Sequence, residues 1–377
     1  MFGRDNKKLC LISIAQRLKE YEEQKNNVKE GNTNCIPLPF KGFRKEWAGL
    51  EMSKYYLISA NTKGGKSILA IFLFIIKSLE WAKQTGNPVK IFYFSLEMSS
   101  RIILDKITSY WLYTYAEDHP IISSDILNSL DENNPLPDSV LSILQNDSNY
   151  QEFIKFFEEH CEIIEDIANP FGMFNHCQKY ALANGKLVYI DKVFTVDGHT
   201  EVKKVVDYYL PDNKKEYKIV IVDHLSLISP EKGASIKESI DKWSSDYCVR
   251  KLRNLYGFTI CNIQQQALAK SDNDSFKLDR LAPSPDGLAE SKLTSRDCDM
   301  MIGLFNPFFF KKKSYEGYDI SKFKNAIRFM EIVLNRNGRI GGICPLMFNG
   351  AATFFRELPA ADNDSIKKYE NLVQEFN

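Results

Sequence analysis

The chain has 377 residues, of which 44% are hydrophobic and 26% charged, and its 49 Lys+Arg equal its 49 Asp+Glu. At roughly 150 residues per domain this length allows one large domain with insertions or two ordinary ones, and the composition excludes disorder as the general state. Zero formal net charge argues against a protein that coats itself in nucleic acid through bulk positive charge, so any polyanion has to be met by a local basic patch.

From the N-terminus, residues 9–28 place Leu11, Ile14, Leu18 and Tyr21 amid many charges, which predicts one amphipathic helix, followed by a turn-rich stretch at 29–34. Residues 1–35 therefore read as an arm ahead of a main domain, 36–377. Residues 54–59 form a β-type run leading into a Gly-containing loop at 61–65, and 67–81 reads as a buried helix. Three further runs, 89–94, 217–222 and 258–263, are rich in β-branched and aromatic residues. Near-continuous apolar strands separated by helices are what a parallel sheet covered on both faces requires, so the predicted fold class is α/β. Between 113 and 216 the pattern loosens into helical stretches at 139–145 and 150–164 and a hairpin over 186–196 with its turn at Asp197-Gly198. This segment is expected to be an insertion packed on the sheet. Strands near 300–305, 330–334 and 346–355 extend the sheet with some antiparallel pairing.

The eight cysteines are scattered and no pair forms Cys-x-x-Cys, so neither a zinc ribbon nor a dithiol redox motif is written here, and a reducing compartment is the simple reading. His160-Cys161 and His176-Cys177 are adjacent pairs, whereas the ligands of a zinc pair stand about two to four residues apart. The first six residues lack the apolar core of a signal peptide, and the longest apolar stretch, Ile68 to Ile76, is too short to span a bilayer; a cytoplasmic location is expected.

Ala60-Asn61-Thr62-Lys63-Gly64-Gly65-Lys66-Ser67 is a Walker A sequence with alanine in place of the first glycine. Backbone N–H groups of such a loop and of the following helix N-terminus surround a β-phosphate, Lys66 bridges the β- and γ-phosphates of ATP, and the Ser67 hydroxyl ligates Mg²⁺. The alternative is a chance turn before a core helix, but an apolar strand before it and a buried helix after it supply the context the motif needs. A P-loop ATPase also needs a strand-end carboxylate for the Mg²⁺ water shell, and Lys218-Ile-Val-Ile-Val-Asp223 supplies Asp223 at the C-terminal edge of a strand, where ligands bind in open α/β sheets.

Phe94-Ser95-Leu96-Glu97-Met98-Ser99 resembles the Ser-Leu-Glu-Met motif of the DnaB-type replicative helicases, hexameric RecA-like ATPases. Four more matches follow in order. Val222-Asp223-His224-Leu225-Ser226-Leu227 resembles the family's Walker B, with His224 and Ser226 where Tyr and Gln are usual. Ile263-Gln264-Gln265-Gln266 is similar to its strand-end glutamine motif, Glu290-Ser291 to Asp297-Cys298-Asp299 to its Glu-Ser…Asp-x-Asp segment, and Asn335-Arg336-Asn337-Gly338 to its Arg-Asn-Gly finger motif. The resemblance covers about 36–358, and the family's own Walker A commonly begins with Ala. It implies a RecA-like P-loop ATPase core with a mostly parallel sheet flanked by helices, plus insertions.

Carried over residue by residue, the resemblance implies that Glu97 is the catalytic base that polarises the attacking water and that Gln265 senses nucleotide and DNA. Arg336 would be an arginine finger acting in trans on a neighbouring subunit's nucleotide. On the residues alone Glu97 also suits a carboxylate facing a helix N-terminus, and Arg336 an ordinary surface Arg beside a Gly turn. The position two before Arg336 is usually Lys in the family; here it is Leu334, so either Arg339 substitutes or intersubunit catalysis is weaker.

The implied partners are single-stranded or forked DNA and further copies of the chain in a hexameric ring. The DNA-holding loops would contain Lys232 and Lys237, and Lys270, Lys277 and Arg280; solvated loops are the competing reading. Phe308 to Lys313 mixes aromatics with basic charge, as either a further contact or a strand end before a solvated insertion. The family's primase-recruiting N-terminal domain is expected to be absent, with primase and loader as separate proteins, as in a phage or mobile element acting in the host cytoplasm. Residues 9–28 take the place of the family's linker helix, which docks on the adjacent subunit, although a helix folding back on its own domain has the same stripe. The 5′ to 3′ polarity follows from resemblance only. Two other readings use the same motifs: a RecA- or KaiC-like recombination or regulatory ATPase without unwinding, and a degenerate nucleotide-binding accessory subunit, suggested by Leu334, His224 and the long insertion. Ser95 to Met98 with Arg336 to Gly338 favours the helicase branch, and the presence of Lys66, Ser67, Glu97 and Asp223 disfavours degeneracy.

Overall fold

A computed structural model describes residues 14–196, 199–267 and 281–373. Nine strands form the central sheet: β1 (Tyr55–Ala60), β2 (Val89–Ser95), β3 (Cys161–Ile164), β4 (Tyr217–Asp223), β5 (Thr259–Gln265), β6 (Met300–Phe305), β7 (Ile327–Asn335), β8 (Ile343–Asn349) and β9 (Phe354–Glu357). Their spatial order is β9-β8-β7-β6-β1-β5-β4-β2-β3. The strands from β6 to β3 in that order run parallel, and β7, β8 and β9 add antiparallel pairs at the other edge. The α/β expectation holds, as does the antiparallel extension.

Strand side chains alternate between faces. Tyr56, Ile58, Ile91, Tyr93, Ile219, Ile221 and Ile263 enter one apolar cluster, and Tyr55, Leu57, Phe92, Phe94, Val220, Val222 and Ile260 the other. Both faces are dry because helices cover both, which is why the sequence of these strands is apolar throughout instead of alternating. The first face is covered by a continuous helical run, Lys66–Ala70, Ile71–Ile76 and Lys77–Thr85, whose middle widens into π turns and is buried on every side. Ser100–Tyr115 packs beside it. The second face carries Pro170–Ala183 and the run Ile236–Lys242 and Trp243–Arg253.

Three local readings change. The stretch 150–164 is not all helix: the helix Ser148–His160 stops and Cys161–Ile164 becomes β3, pairing parallel to β2 from Ile91↔Cys161 to Phe94↔Ile164. Four residues carry too little periodicity to separate a buried strand from a last helical turn. The stretch 346–355 divides into β8 and β9 around the turn at 350–353. The hairpin is longer than expected, Gly185–Val196 against His199–Pro211, and forms its own two-stranded sheet, with Asp197 and Gly198 outside the described residues. The segment expected as an insertion thus includes an edge strand of the main sheet and a helix on its second face.

The N-terminal helix Ile14–Lys29 buries none of its residues, and Ile14, Leu18, Tyr21 and Val28 lie exposed. Among the described residues its stripe therefore does not rest on its own domain; Leu11 lies outside them. Among the described residues no helix is long and apolar enough to cross a membrane.

Phe72, 1% exposed, stands in the π-turn stretch with Phe40, Tyr110, Phe354 and Phe355 around its ring at centroid distances of 5.5–6.1 Å. Phe72→Ala should cost about 3–5 kcal/mol of folding stability, whereas Leu18→Ala in the exposed arm should stay within about 0.5 kcal/mol. Urea unfolding followed by circular dichroism separates the two.

Candidate nucleotide-binding site

The parallel register delivers the site. Ala60 pairs with Gln265 and with Leu304, and Ser95 pairs with Asp223, so β1, β5, β4 and β2 end along one edge. The loop Asn61 to Gly65 leaves β1 there and turns directly into the helix that begins at Lys66. It closes with the Gly64 N–H donating to the Asn61 carbonyl at 2.9 Å, and the Leu69 N–H takes up the Gly65 carbonyl in the first helical turn. Gly64 has no room for a side chain: a Cβ would stand 2.8 Å from both the Ala60 Cβ and the Asn61 carbonyl oxygen. Gly65 sits at φ +97°, where a side chain is strained, and Lys63 holds φ +60° despite having one.

A cavity of about 530 Å³ opens over this loop, lined by Lys66, Ser67, Glu97, Gln265, Arg328 and Phe348 among others. Lys66 is nearly buried, and its Nζ lies 3.8 Å from Glu97 Oε2. Glu97 follows the end of β2 in the loop before Ser100–Tyr115 and stays half-exposed. The direct hydrogen bonds at the following helix N-terminus go to other residues: Ser99 accepts from the Ile102 N–H, and the Ser100 N–H donates to Glu165. Glu97 instead faces Lys66 and His224, whose Nε2 lies 3.6 Å away. Burial, then the Lys66 charge, lowers the His224 pKa, so the imidazole is neutral at pH 7.

Asp223 is fully buried at the end of β4. Its Oδ2 accepts from the Tyr93 hydroxyl at 2.8 Å, while its Oδ1 is buried with no hydrogen-bond partner. Burial raises its pKa, against the opposing pull of Ser67, Tyr93 and Lys66. An open carboxylate oxygen beside the Ser67 hydroxyl is the hard oxygen donor set that Mg²⁺ takes together with water, so these residues fit the ion.

Gln265 faces the loop and donates from Nε2 to Thr62 Oγ1 at 2.6 Å. Its neighbours point the other way: Gln264 donates to the Ser291 carbonyl and Gln266 to Ser59 Oγ. The Asp-x-Asp segment is architectural here, with Asp299 Oδ2 accepting from the Tyr55 N–H and from Arg253, each at 2.9 Å.

Arg336 is not brought to this cavity. Its N–H donates to the Asp299 carbonyl, beside Tyr55 at the start of β1, whereas the loop leaves the other end. Five residues of strand separate them, about 17 Å at ~3.3 Å per residue. Leu334 is half-buried and packs into the second core cluster, and Arg339 is exposed in the turn after β7. Lys232 and Lys237 are exposed, in the loop after β4 and in the first turn of Ile236–Lys242. Lys270, Lys277 and Arg280 lie outside the described residues.

Two solved structures resemble the chain over nearly all of its length. One, an ATPase domain, superposes with a TM-score of 0.63 at 16% identity, covering 94% of this chain and 100% of that one. The other, a DnaB-like replicative helicase studied with its primase interactions, gives 0.60 at 15% identity, covering 95% of this chain and 69% of that one. The chain has the RecA-like ATPase fold. No family model matches it, and no curated protein matches it in sequence.

The fold brings residues to the site that sequence reasoning missed: Tyr93 on β2, Lys106 on the helix after Glu97, and Arg328 and Phe348 on β7 and β8. Arg328 carried a signal, since it is the lone cation in the mostly apolar stretch Ile327 to Val333, which Glu331 also interrupts. Tyr93 carried none, because buried aromatics stand in most of the strands, Tyr55, Tyr56, Phe92, Phe94 and Tyr217 among them.

A carboxylate whose folded pKa lies above its unfolded value is protonated more readily when folded, so it costs stability above that pKa and the cost lifts as pH falls. Asp223→Asn removes that cost. The nucleotide-free variant should be at least as stable as wild type at neutral pH, with a gain of about 1 kcal/mol; a clear drop in its melting temperature contradicts the account.

Proposed function

We propose that this protein is an ATP hydrolase of the DnaB helicase type, a ring of copies that moves along single-stranded DNA and unwinds duplex. The observation that carries the reading is the convergence of Lys66, Ser67, Glu97 and Asp223 on one phosphate loop at the C-terminal edge of a RecA-like sheet. In this reading the loop N–H groups and Lys66 hold the polyphosphate, and Glu97, paired with Lys66, orients and polarises the attacking water. Ser67 and Asp223 would hold Mg²⁺, which when bound would neutralise charge at the phosphates. Tyr93 fixes Asp223 with its free oxygen available for that role.

Arg336 stands at the opposite sheet edge from its own phosphate loop, which supports a role in trans: it would neutralise developing charge on a neighbour's nucleotide. Leu334 carries no charge, so this finger lacks the family's second cation and hydrolysis between subunits leans on Arg336 and Arg339. Lys232 and Lys237, with Lys270, Lys277 and Arg280, would repeat around a ring and meet the DNA backbone. A cytoplasmic setting and separate primase and loader partners belong to the same proposal. The competing reading, a RecA- or KaiC-like ATPase without unwinding, shares the site and differs in its response to DNA.

ATP turnover with and without single-stranded DNA, with mass measured in parallel, tests the reading. Glu97→Gln should lose about 10²–10⁴-fold in turnover while still binding nucleotide, and Arg336→Ala about 10³-fold with binding intact. Absence of DNA stimulation together with a monomer at every nucleotide concentration contradicts the helicase reading. Wild-type turnover by Arg336→Ala contradicts the trans finger alone. Lys232→Glu with Lys237→Glu should weaken single-stranded DNA binding and flatten its logarithmic salt slope by about 0.7 per lost contact; an unchanged slope removes both residues from the interface.

A further inference from the structure

Arg328 is 1% exposed on β7, at the sheet edge where the phosphate loop lies. Its Nε donates to the Gly64 carbonyl at 2.8 Å, its Nη1 to the carbonyls of Asn325 and Ile327 at 2.8 Å each, and its Nη2 to Asn325 Oδ1 at 3.0 Å. The guanidinium lies over the Phe348 ring, 4.4 Å from its centroid, and a Cβ on Gly65 would meet the far end of the same ring at 3.5 Å. All of these partners are neutral. Among the described residues no carboxylate pairs with Arg328, and burial alone pushes its pKa down to about 9, which leaves it charged at neutral pH. A buried cation without an anion is costly, and a site of this kind persists where function uses it.

We propose that Arg328 is a positioning residue that locks the phosphate loop in its anion-binding form. In a trans peptide the carbonyl of one residue and the N–H of the next point in opposite directions. Holding the Gly64 carbonyl outward on Arg328 aims the Gly65 N–H to the opposite side, while Phe348, its face under the guanidinium and the end of its ring beside Gly65, crowds that peptide. Two consecutive glycines make the peptide free to flip without such a hold. The anion missing from the Arg328 environment is then the polyphosphate of the nucleotide, drawn by a charge that burial leaves unscreened. This is distinct from the roles of Lys66 and Arg336: Arg328 acts in the same chain and through the loop backbone.

The inference rests on reading the cavity as the ATP site, and one titration separates the two. Binding of a fluorescent ADP analogue is measured for wild type, Lys66→Ala, Arg328→Met and Arg328→Lys, each below its own melting transition and checked for folding by circular dichroism. Arg328→Met should weaken binding about tenfold, about 1.4 kcal/mol, and Arg328→Lys, which keeps the charge and most of the volume but not the fork, about threefold. A merely structural Arg328 would lower the melting temperature while folded protein bound the analogue as wild type does, and affinities of both variants within twofold of wild type overturn the inference. Should Arg328→Met not fold, the lysine variant decides by the same criterion. Failure of wild type to bind, or unchanged binding by Lys66→Ala, overturns the ATP-site reading itself.

Discussion

The site depends on the common ending of parallel strands. Because β1 pairs with β5, and β4 pairs with β2, in a register that sets Ala60 against Gln265 and Ser95 against Asp223, four separate stretches of sequence deliver polar residues to one edge. The strands that do this are apolar on both faces, so they are held by burial from both sides, and a one-residue slip would exchange the two core faces. The polar groups stand only at the ends, where the sheet stops excluding water. Within that frame the electrostatics follow: Lys66 is buried enough to need a carboxylate, Glu97 is exposed enough to remain free for water, and Asp223 is buried enough that its ionisation costs stability until a cation arrives.

The same frame separates the two arginines. β7 runs antiparallel to β6, so its start lies at the loop edge and its end at the opposite edge. Arg328, at the start, holds the phosphate loop of its own chain, whereas Arg336, after the end, is tied to Asp299 about one strand length away. One strand thus presents a cation to each edge. Under the proposal, a finger at Arg336 stands on the far side of its own sheet and needs a neighbour to use it, and this geometry, not net charge, makes assembly the condition for the proposed chemistry. The exposed apolar stripe of Ile14–Lys29 is consistent with a chain that meets copies of itself.

What was legible in the sequence is what is local. The phosphate loop, Glu97 and Asp223 are each written within about eight contiguous residues because backbone geometry at a strand end demands particular residue types in order. The apolar strands were legible because both faces are covered. The strand Cys161–Ile164 was not, since it is short and directly continues a helical pattern, and its assignment comes from pairing with β2. Nor were the roles of Tyr93 and Arg328, whose partners lie 130 and 264 residues away along the chain. Nor was it legible that Ser99 and Glu165, not Glu97, make the hydrogen bonds at the helix N-terminus.

The central claim is that the loop after β1, Ser67 and Asp223 form a single magnesium–nucleotide site. Calorimetric titration of the full chain with a slowly hydrolysed ATP analogue, with and without Mg²⁺, tests it most directly. The account predicts one nucleotide per chain and an affinity that rises at least tenfold, about 1.4 kcal/mol, when Mg²⁺ is present, with that gain lost in Asp223→Asn. Binding that is indifferent to Mg²⁺, or no binding at all, would contradict it.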